Sequence, residues 1–169
     1  MRYPFGAMRM TFVLTGLVSL LLLGACSTAP QPSPSQPLPP LAAPRLSDEQ
    51  AHDVAIHALG LVGTPYRFGG NTPEGGFDCS GLIHYVYRQR TGVAPPRTVA
   101  ALGQFGQALD AQSVRTGDLV LFGSPVPTHA GIYVGDGRFV HAPSSGGTVR
   151  LDHLRARHWA REFAGFRRP

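Results

Sequence analysis

The chain has 169 residues, which is enough for one compact domain and an additional segment. Its formal charge is +5 at neutral pH, and all fifteen basic residues are arginines, against ten acidic residues. The arginines are scattered and the longest basic run is Arg167-Arg168, so the charge pattern does not indicate a nucleic-acid-binding protein. A mildly basic surface would also suit an anionic polymer.

Residues 1–25 predict a secretory signal, with two arginines near the start and an apolar core over residues 10–23. That core is shorter than the roughly 20 residues a membrane-spanning helix needs. The segment ends with Leu-Gly-Ala-Cys-Ser at residues 23–27, which resembles a bacterial lipobox. The resemblance implies that Cys26 is lipidated and becomes the new amino terminus, and that Ser27 after it specifies the outer membrane.

Residues 26–46 are predicted to be the lipidated cysteine and a tether. Seven prolines lie between residues 27 and 44, among Ala, Ser and Gln, and such a composition favours an extended chain of polyproline II character. The tether would hold a globular domain, predicted over residues 47–169, away from a membrane. A disulfide between Cys26 and Cys79 is the alternative for an exported chain, and the lipobox disfavours it.

The first predicted helix of the domain begins with a capping box, Ser-Asp-Glu-Gln at residues 47–50. Apolar residues recur at helical spacing up to Leu59 and Val62, and Gly63 is the predicted end. His52 and His57 are five residues apart, which does not place them on one face of the helix. We expect neither histidine to have a functional role.

A second helix is predicted directly after the Gly-rich residues 69–76, with Asp78 as its N-cap, Cys79 as its first residue and Gly92 after its last. Unpaired backbone N–H groups and the helix dipole at this end favour negative charge, so we expect the pKa of the Cys79 thiol to be lowered. The thiolate is the form that attacks carbonyl carbon. The alternative is a small buried cysteine that packs like an alanine.

The sequence of the second half of the chain is typical of β-strands. Thr98 is predicted to cap a short helix towards Phe105, and strands are predicted at residues 118–122, 129–134, 138–142 and near 148–151. A Gly-Asp-Gly turn at residues 135–137 joins two of these strands into a hairpin. A short helix and a last strand around residues 163–166 follow. Helices first and antiparallel strands after them predict an α+β fold, with helices packed on one side of a sheet.

Two histidines stand at the ends of the predicted hairpin. His129 begins one strand and His141 ends the next, so antiparallel pairing should make them neighbours at the open end of the sheet. Together with Cys79 at a helix start, they would supply a nucleophile, a base and a group that orients the base.

Several separated motifs in the domain resemble the NlpC/P60 family of cell-wall cysteine peptidases. The resemblance extends from about Ser47 to the carboxyl terminus, and it rests on motifs at residues 63–70, 78–82, 96–98, 115–120, 129–137 and 140–143. It implies a papain-like α+β fold and an enzyme that cleaves peptidoglycan stem peptides beside D-glutamate and meso-diaminopimelate. We further expect a cell-envelope protein that needs no cofactor or metal, acts as a monomer and does not bind nucleic acid.

The resemblance also implies roles for individual residues of this chain. Cys79 would be the nucleophile, His129 the general base and later acid, and His141 the residue that orients His129. The Tyr66 hydroxyl would stabilise the oxyanion together with a backbone N–H of the cysteine helix. Two residues that flank the nucleophile would line the substrate site, Asp78 and Ser80.

The sequence is compatible with three other interpretations of the site. Cys79, His129 and His141 are possible zinc ligands, although the sequence shows no fourth ligand. A Cys-His acyltransferase of the same superfamily would share the acyl-enzyme step. A non-catalytic wall-binding lipoprotein is the third reading, and for it a broken triad would be expected.

Overall fold

The computed structural model describes residues 46–144 and 147–169. The predicted signal, Cys26 and the tether before Leu46 lie outside the described residues. Leu46 itself is buried in the core. Among the described residues, no helix has the length and apolar character needed to cross a membrane.

Helix α1 (Asp48–Gly60) begins at the predicted capping box, in which Ser47 and Gln50 each accept a hydrogen bond from the other's backbone N–H, at 3.2 and 3.1 Å. The predicted end at Gly63 is wrong, because the backbone there leaves the helix and the Gly63 N–H donates to the Val149 carbonyl at 2.8 Å. The buried face is narrower than predicted: Leu59 and Val62 are 40% and 46% exposed.

Helix α2 (Cys79–Thr91) has the predicted bounds at both ends. The Asp78 side chain accepts a hydrogen bond from the Gly81 N–H, and Gly92 ends the helix in the left-handed conformation. A two-stranded hairpin that the sequence analysis did not predict, β1 (Asn71–Thr72) with β2 (Gly76–Phe77), precedes this helix. Helix α3 (Val99–Leu102) is capped by Thr98 as predicted but ends before Phe105.

Six antiparallel strands form the main sheet, in the spatial order β3-β8-β4-β5-β6-β7. The strands are β3 (Gln107–Leu109), β4 (Leu119–Phe122), β5 (His129–Gly135), β6 (Arg138–His141), β7 (Arg150–His153) and β8 (Phe163–Arg168). Strand β3 was not predicted, and β7 begins two residues later than expected. The carboxyl-terminal helix α4 (Arg157–Glu162) leads directly into β8, which lies between β3 and β4.

Strand β4 is buried on both faces of the sheet. Leu119 and Leu121 belong to the apolar cluster that includes side chains of α1 and α2, whereas Val120 and Phe122 belong to a second cluster with Trp159 of α4. Successive side chains of a strand point to opposite faces, so this alternation places α1 and α2 on one face and α4 on the other. The predicted α+β fold is confirmed, but the prediction that the helices pack on one side of the sheet is wrong for α4, which covers the second face.

Candidate active site

Cys79 is the first residue of α2 and is partly buried. Burial and the neighbouring Asp78 carboxylate raise the pKa of its thiol above the ordinary value of 9.0, against the opposing effect of the Ser80, Ala130 and Cys79 backbone N–H groups. The expected lowering of the thiol pKa is therefore wrong for the free protein, because loss of hydration outweighs the N–H groups of the helix start. The hydrogen bond from the Ala130 N–H places the thiol beside the start of β5.

The loop that precedes α2 is tied to the helix through Asp78. One oxygen of this carboxylate accepts the Gly81 N–H at 2.6 Å, and the other accepts the Gly69 N–H at 2.9 Å. Arg97 contacts the same carboxylate at 3.5 Å and donates to the Gly69 carbonyl at 3.1 Å. The Ser80 hydroxyl lies 2.8 Å from the Arg97 carbonyl oxygen. The side chains of Asp78 and Ser80 are thus engaged within the protein, and their binding role remains a prediction.

The two histidines are neighbours, which confirms that prediction of the hairpin. His129 Nε2 lies 2.8 Å from His141 Nδ1, and the side chain of His141 is completely buried. Gly131, two residues after His129 on β5, has no room for a side chain: a Cβ atom there would lie 2.7 Å from the Phe139 ring and 3.2 Å from the His141 Cβ. The absence of a side chain at Gly131 lets β5 and β6 approach closely at this point.

Both imidazoles are neutral at pH 7. The pKa of His129 is lowered to about 3, mainly by burial and also by the neighbouring His141, His158 and Arg150, whereas Asp152 opposes the shift. Burial also lowers the pKa of His141 to about 4, although Asp152 opposes this shift. A neutral imidazole can accept a proton, so His129 is in the form a general base requires.

Asp152 on β7, which was not predicted from the sequence, extends the pair into a hydrogen-bonded series of three side chains. Its Oδ2 atom lies 3.1 Å from His141 Nε2, and it also accepts hydrogen bonds from Trp159 Nε1 at 2.8 Å and Arg150 Nε at 3.0 Å. The contact arises because β7 pairs with β6 and places Asp152 diagonally across from His141.

Trp159 packs against the rings of both histidines. Its ring is stacked on His129, with 5.2 Å between centroids and 23° between planes, and it meets His141 edge-on at 4.8 Å. Phe122 supports it from the sheet at 4.7 Å. These aromatic contacts contribute to the loss of hydration that lowers the pKa of both histidines.

Tyr66 lies close to both Cys79 and Asp78. The pKa of its hydroxyl is raised, first by loss of hydration and then by the negative charge of these two neighbours. The hydroxyl therefore stays protonated and can donate a hydrogen bond. The backbone of Tyr66 is fixed by a bridge to Phe77 and by its N–H, which donates to the Gly147 carbonyl at 2.8 Å.

Comparison with known proteins identifies the family. The NlpC/P60 family model matches residues 63–168. The chain belongs to the NlpC/P60 family.

The chain is similar to two curated family relatives. It is 36% identical over 126 residues to murein DD-endopeptidase MepH of Escherichia coli, an alignment that covers 71% of this chain and 46% of MepH. It is 41% identical over 127 residues to the gamma-DL-glutamyl hydrolase of Bacillus subtilis, over 72% of this chain and 30% of that protein. The chain thus spans less than half the length of either relative.

A solved structure shows the same fold. The crystal structure of an NlpC/P60 family protein from Bacillus cereus matches this chain with a TM-score of 0.66 and 30% sequence identity. The match covers 74% of this chain and 41% of the Bacillus protein.

Proposed function

We propose that the protein is a peptidoglycan endopeptidase that hydrolyses stem-peptide amide bonds by a Cys-His-His thiol mechanism. The observation that carries the proposal is the 2.8 Å contact between His129 and His141, next to Ala130, whose N–H contacts the Cys79 thiol. The family membership and the names of its relatives, a murein endopeptidase and a glutamyl hydrolase, support the substrate class.

The reaction begins from an uncharged pair. The Cys79 sulfur attacks the carbonyl carbon as its proton passes to His129, because neither a thiolate nor an imidazolium is favoured in the free protein. The negative oxygen that develops is stabilised by a backbone N–H at the start of α2 and by the Tyr66 hydroxyl. His141 orients the His129 ring and acts as a positioning residue.

Breakdown of the tetrahedral intermediate completes the first half of the reaction. His129 gives its proton to the leaving amine, the C–N bond breaks, and the acyl group remains on Cys79 as a thioester. Water then attacks the thioester carbon and gives a proton to His129. The carbon–sulfur bond breaks, which releases a carboxylic acid and restores the thiol as His129 returns the proton to sulfur.

The bond we propose lies beside D-glutamate and meso-diaminopimelate. The two relatives differ in the linkage that their names specify, so the name of neither transfers directly to this chain. An acyltransferase would form the same thioester and pass it to another acceptor, whereas a non-catalytic binding protein would form no thioester at all.

The test is the release of soluble peptides and new amino groups from purified peptidoglycan by the full chain and by Cys79→Ser. We expect the wild type to release both and Cys79→Ser to release neither, because the serine hydroxyl is too weakly acidic to replace the thiol. The exposed surface variant His52→Gln is the matched control and should retain activity. Equal release by wild type and Cys79→Ser would remove Cys79 from the mechanism.

We also propose that the protein is a lipoprotein of the cell envelope. Residues 1–25 would be removed, Cys26 would carry the lipid in the outer membrane, and residues 26–46 would tether the catalytic domain of residues 47–169 on the periplasmic side. Cys26→Ala should move the protein from the membrane fraction to the soluble fraction and leave hydrolysis of soluble muropeptides unchanged. Membrane association of the unlipidated variant would contradict the proposed anchor.

A further inference from the structure

We propose that Asp152 is a positioning residue that fixes the tautomers of both histidines and makes Nδ1 the basic nitrogen of His129. The consequence for catalysis rests on the proposed cysteine mechanism, whereas the tautomers themselves do not. The inference follows from the hydrogen-bonding capacity of each atom in the series of side chains that leads from Asp152 through His141 to His129.

Asp152 can only accept hydrogen bonds. Trp159 Nε1 and Arg150 Nε are donors without acceptor capacity, and both are directed at Oδ2, at 2.8 and 3.0 Å. Burial acts to raise the pKa of Asp152, but hydrogen bonds from Trp159, His141 and Arg150 bring it below the ordinary value of 3.8. The carboxylate is therefore ionised at pH 7 and requires a hydrogen on His141 Nε2, 3.1 Å away.

The position of the hydrogen on His141 determines the position of the hydrogen on His129. A neutral imidazole carries one hydrogen, so His141 with its hydrogen on Nε2 has a lone pair on Nδ1. That lone pair lies 2.8 Å from His129 Nε2, which must therefore carry the hydrogen of that ring. The lone pair of His129 is left on Nδ1. One carboxylate thus determines the hydrogen positions of two rings in series.

The opposite arrangement is disfavoured at the carboxylate. If His141 carried its hydrogen on Nδ1, its Nε2 lone pair would face the Asp152 oxygen, and two acceptors would lie 3.1 Å apart without a hydrogen between them. The side chain of His141 is completely buried, so water cannot relieve this repulsion. Asp152 also supplies a negative charge that favours the imidazolium formed when His129 takes the thiol proton.

Trp159 provides the matched control, because it contacts both Asp152 and His129, the two ends of the hydrogen-bonded series of side chains. Its indole N–H donates to Asp152, and its ring is stacked on His129. Trp159→Phe removes one donor and keeps an aromatic ring against the histidines. The carboxylate remains, held by Arg150 and His141, so this variant should keep the wild-type tautomers.

The experiment is nitrogen NMR of the full chain labelled with 15N-histidine, with signals assigned through His129→Gln and His141→Gln. In the wild type and in Trp159→Phe we expect both rings to carry hydrogen on Nε2. Asp152→Leu removes the oxygen that lies against His141 Nε2, Trp159 Nε1 and Arg150 Nε, so position 152 no longer requires a hydrogen on His141 Nε2. Both rings should then populate the tautomer with hydrogen on Nδ1, and kcat should fall by roughly 10²–10⁴, as expected when a catalytic histidine adopts the wrong tautomer.

Three outcomes would overturn the inference. One is a hydrogen on Nδ1 of either ring in the wild type, which needs no variant to fold. Another is an Asp152→Leu variant that folds and loses activity but keeps both wild-type tautomers. The third is a loss for His141→Ala with Asp152→Leu that multiplies the two single losses, since a residue acting through His141 should add little once His141 is gone. Changed tautomers in Asp152→Leu with no wild-type cleavage would support the positioning role and reject the proposed peptidase.

Discussion

The ionisation of Cys79 is set by a competition between two local effects. The first residue of a helix has unpaired backbone N–H groups nearby, and these favour a thiolate. The same residue is partly buried beside the Asp78 carboxylate, and both features favour the neutral thiol. Burial is the largest effect on the pKa, so the position of the cysteine in the helix does not by itself predict its reactivity.

The pH dependence of Cys79 alkylation tests this ionisation state. Because burial raises the thiol pKa above 9.0, the rate of carbamidomethylation by iodoacetamide should rise with an inflection above pH 9 in the free protein. Mass spectrometry of the peptide that contains Cys79 gives the rate separately from Cys26. A plateau of fast alkylation below pH 7 would instead indicate a preformed thiolate and imidazolium pair.

Tyr66 is the residue whose catalytic and structural roles can be separated most sharply. If its hydroxyl donates to the oxyanion, Tyr66→Phe should lower kcat by roughly 10²–10³, the loss that follows removal of one oxyanion donor. KM should change much less, because the hydrogen bond strengthens only as charge develops. The ring and its packing are kept, so the melting temperature should change little.

Tyr85→Phe is the matched control for Tyr66. Tyr85 lies on α2, where it packs against His57 and Phe77 with centroid distances of 5.7 and 5.3 Å. Its hydroxyl has no place in the proposed mechanism, so kcat should be unchanged. An unchanged kcat in Tyr66→Phe as well would leave backbone N–H groups as the main oxyanion donors.

At the scale of the elements, helix α2 packs closely against the loop that precedes it, and the point of closest approach is Gly81. A Cβ atom at Gly81 would collide with the Gly70 carbonyl oxygen and the Arg97 guanidinium. The same loop is held by Asp78, the residue before Cys79. The close approach at Gly81 therefore sets how α2 presents the thiol.

We predict that Gly81→Ala destabilises the protein by roughly 1–3 kcal/mol, the usual cost of overpacking, and reduces activity through displacement of the Cys79 end of α2. The control is Gly60→Ala at the end of α1, where a Cβ atom meets nothing within 4 Å. That substitution should stabilise by roughly 0.5–1 kcal/mol, since alanine loses less backbone freedom on folding. Urea unfolding gives both values, and a neutral Gly81→Ala would show that the loop adapts freely.

The elements that the sequence predicted well are those with local determinants. Both ends of α2 follow from Asp78 and Gly92, which cap the helix through contacts within a few residues. The end of α1 did not follow, because Val149, far along the chain, takes the Gly63 N–H. Asp152 was missed for the same kind of reason: its contact with His141 depends on the register of β6 and β7, which the sequence does not specify.

At the scale of the whole molecule, the histidine pair makes stability depend on pH. The pKa values of His129 and His141 in the folded protein, about 3 and about 4, lie below the ordinary value of 6.5. At pH values between those of the folded protein and 6.5, the two histidines bind protons in the unfolded chain that they do not bind in the folded protein. The contribution of this pair to the free energy of unfolding is therefore largest above pH 6.5 and falls as the pH is lowered through 6.5 towards 4.

Between pH 7 and pH 5, each buried histidine should remove about 2 kcal/mol from the free energy of unfolding. Denaturant unfolding at the two pH values gives the change in the free energy of unfolding between pH 7 and pH 5. This change should be smaller in His129→Gln than in the wild type by about this amount. His52→Gln removes an exposed histidine and should keep the wild-type difference. Equal differences in all three proteins would show that His129 is not held neutral by the fold.

The most direct test of the account is digestion of purified peptidoglycan sacculi in water enriched in 18O, followed by mass spectrometry of the released fragments. The account predicts fragments cut beside D-glutamate and meso-diaminopimelate that carry one 18O atom in the new carboxyl group, because water resolves the Cys79 thioester. Cys79→Ser should release none of them. Fragments joined to another acceptor without 18O would identify an acyltransferase, and intact sacculi with bound wild-type protein would contradict the proposed peptidase.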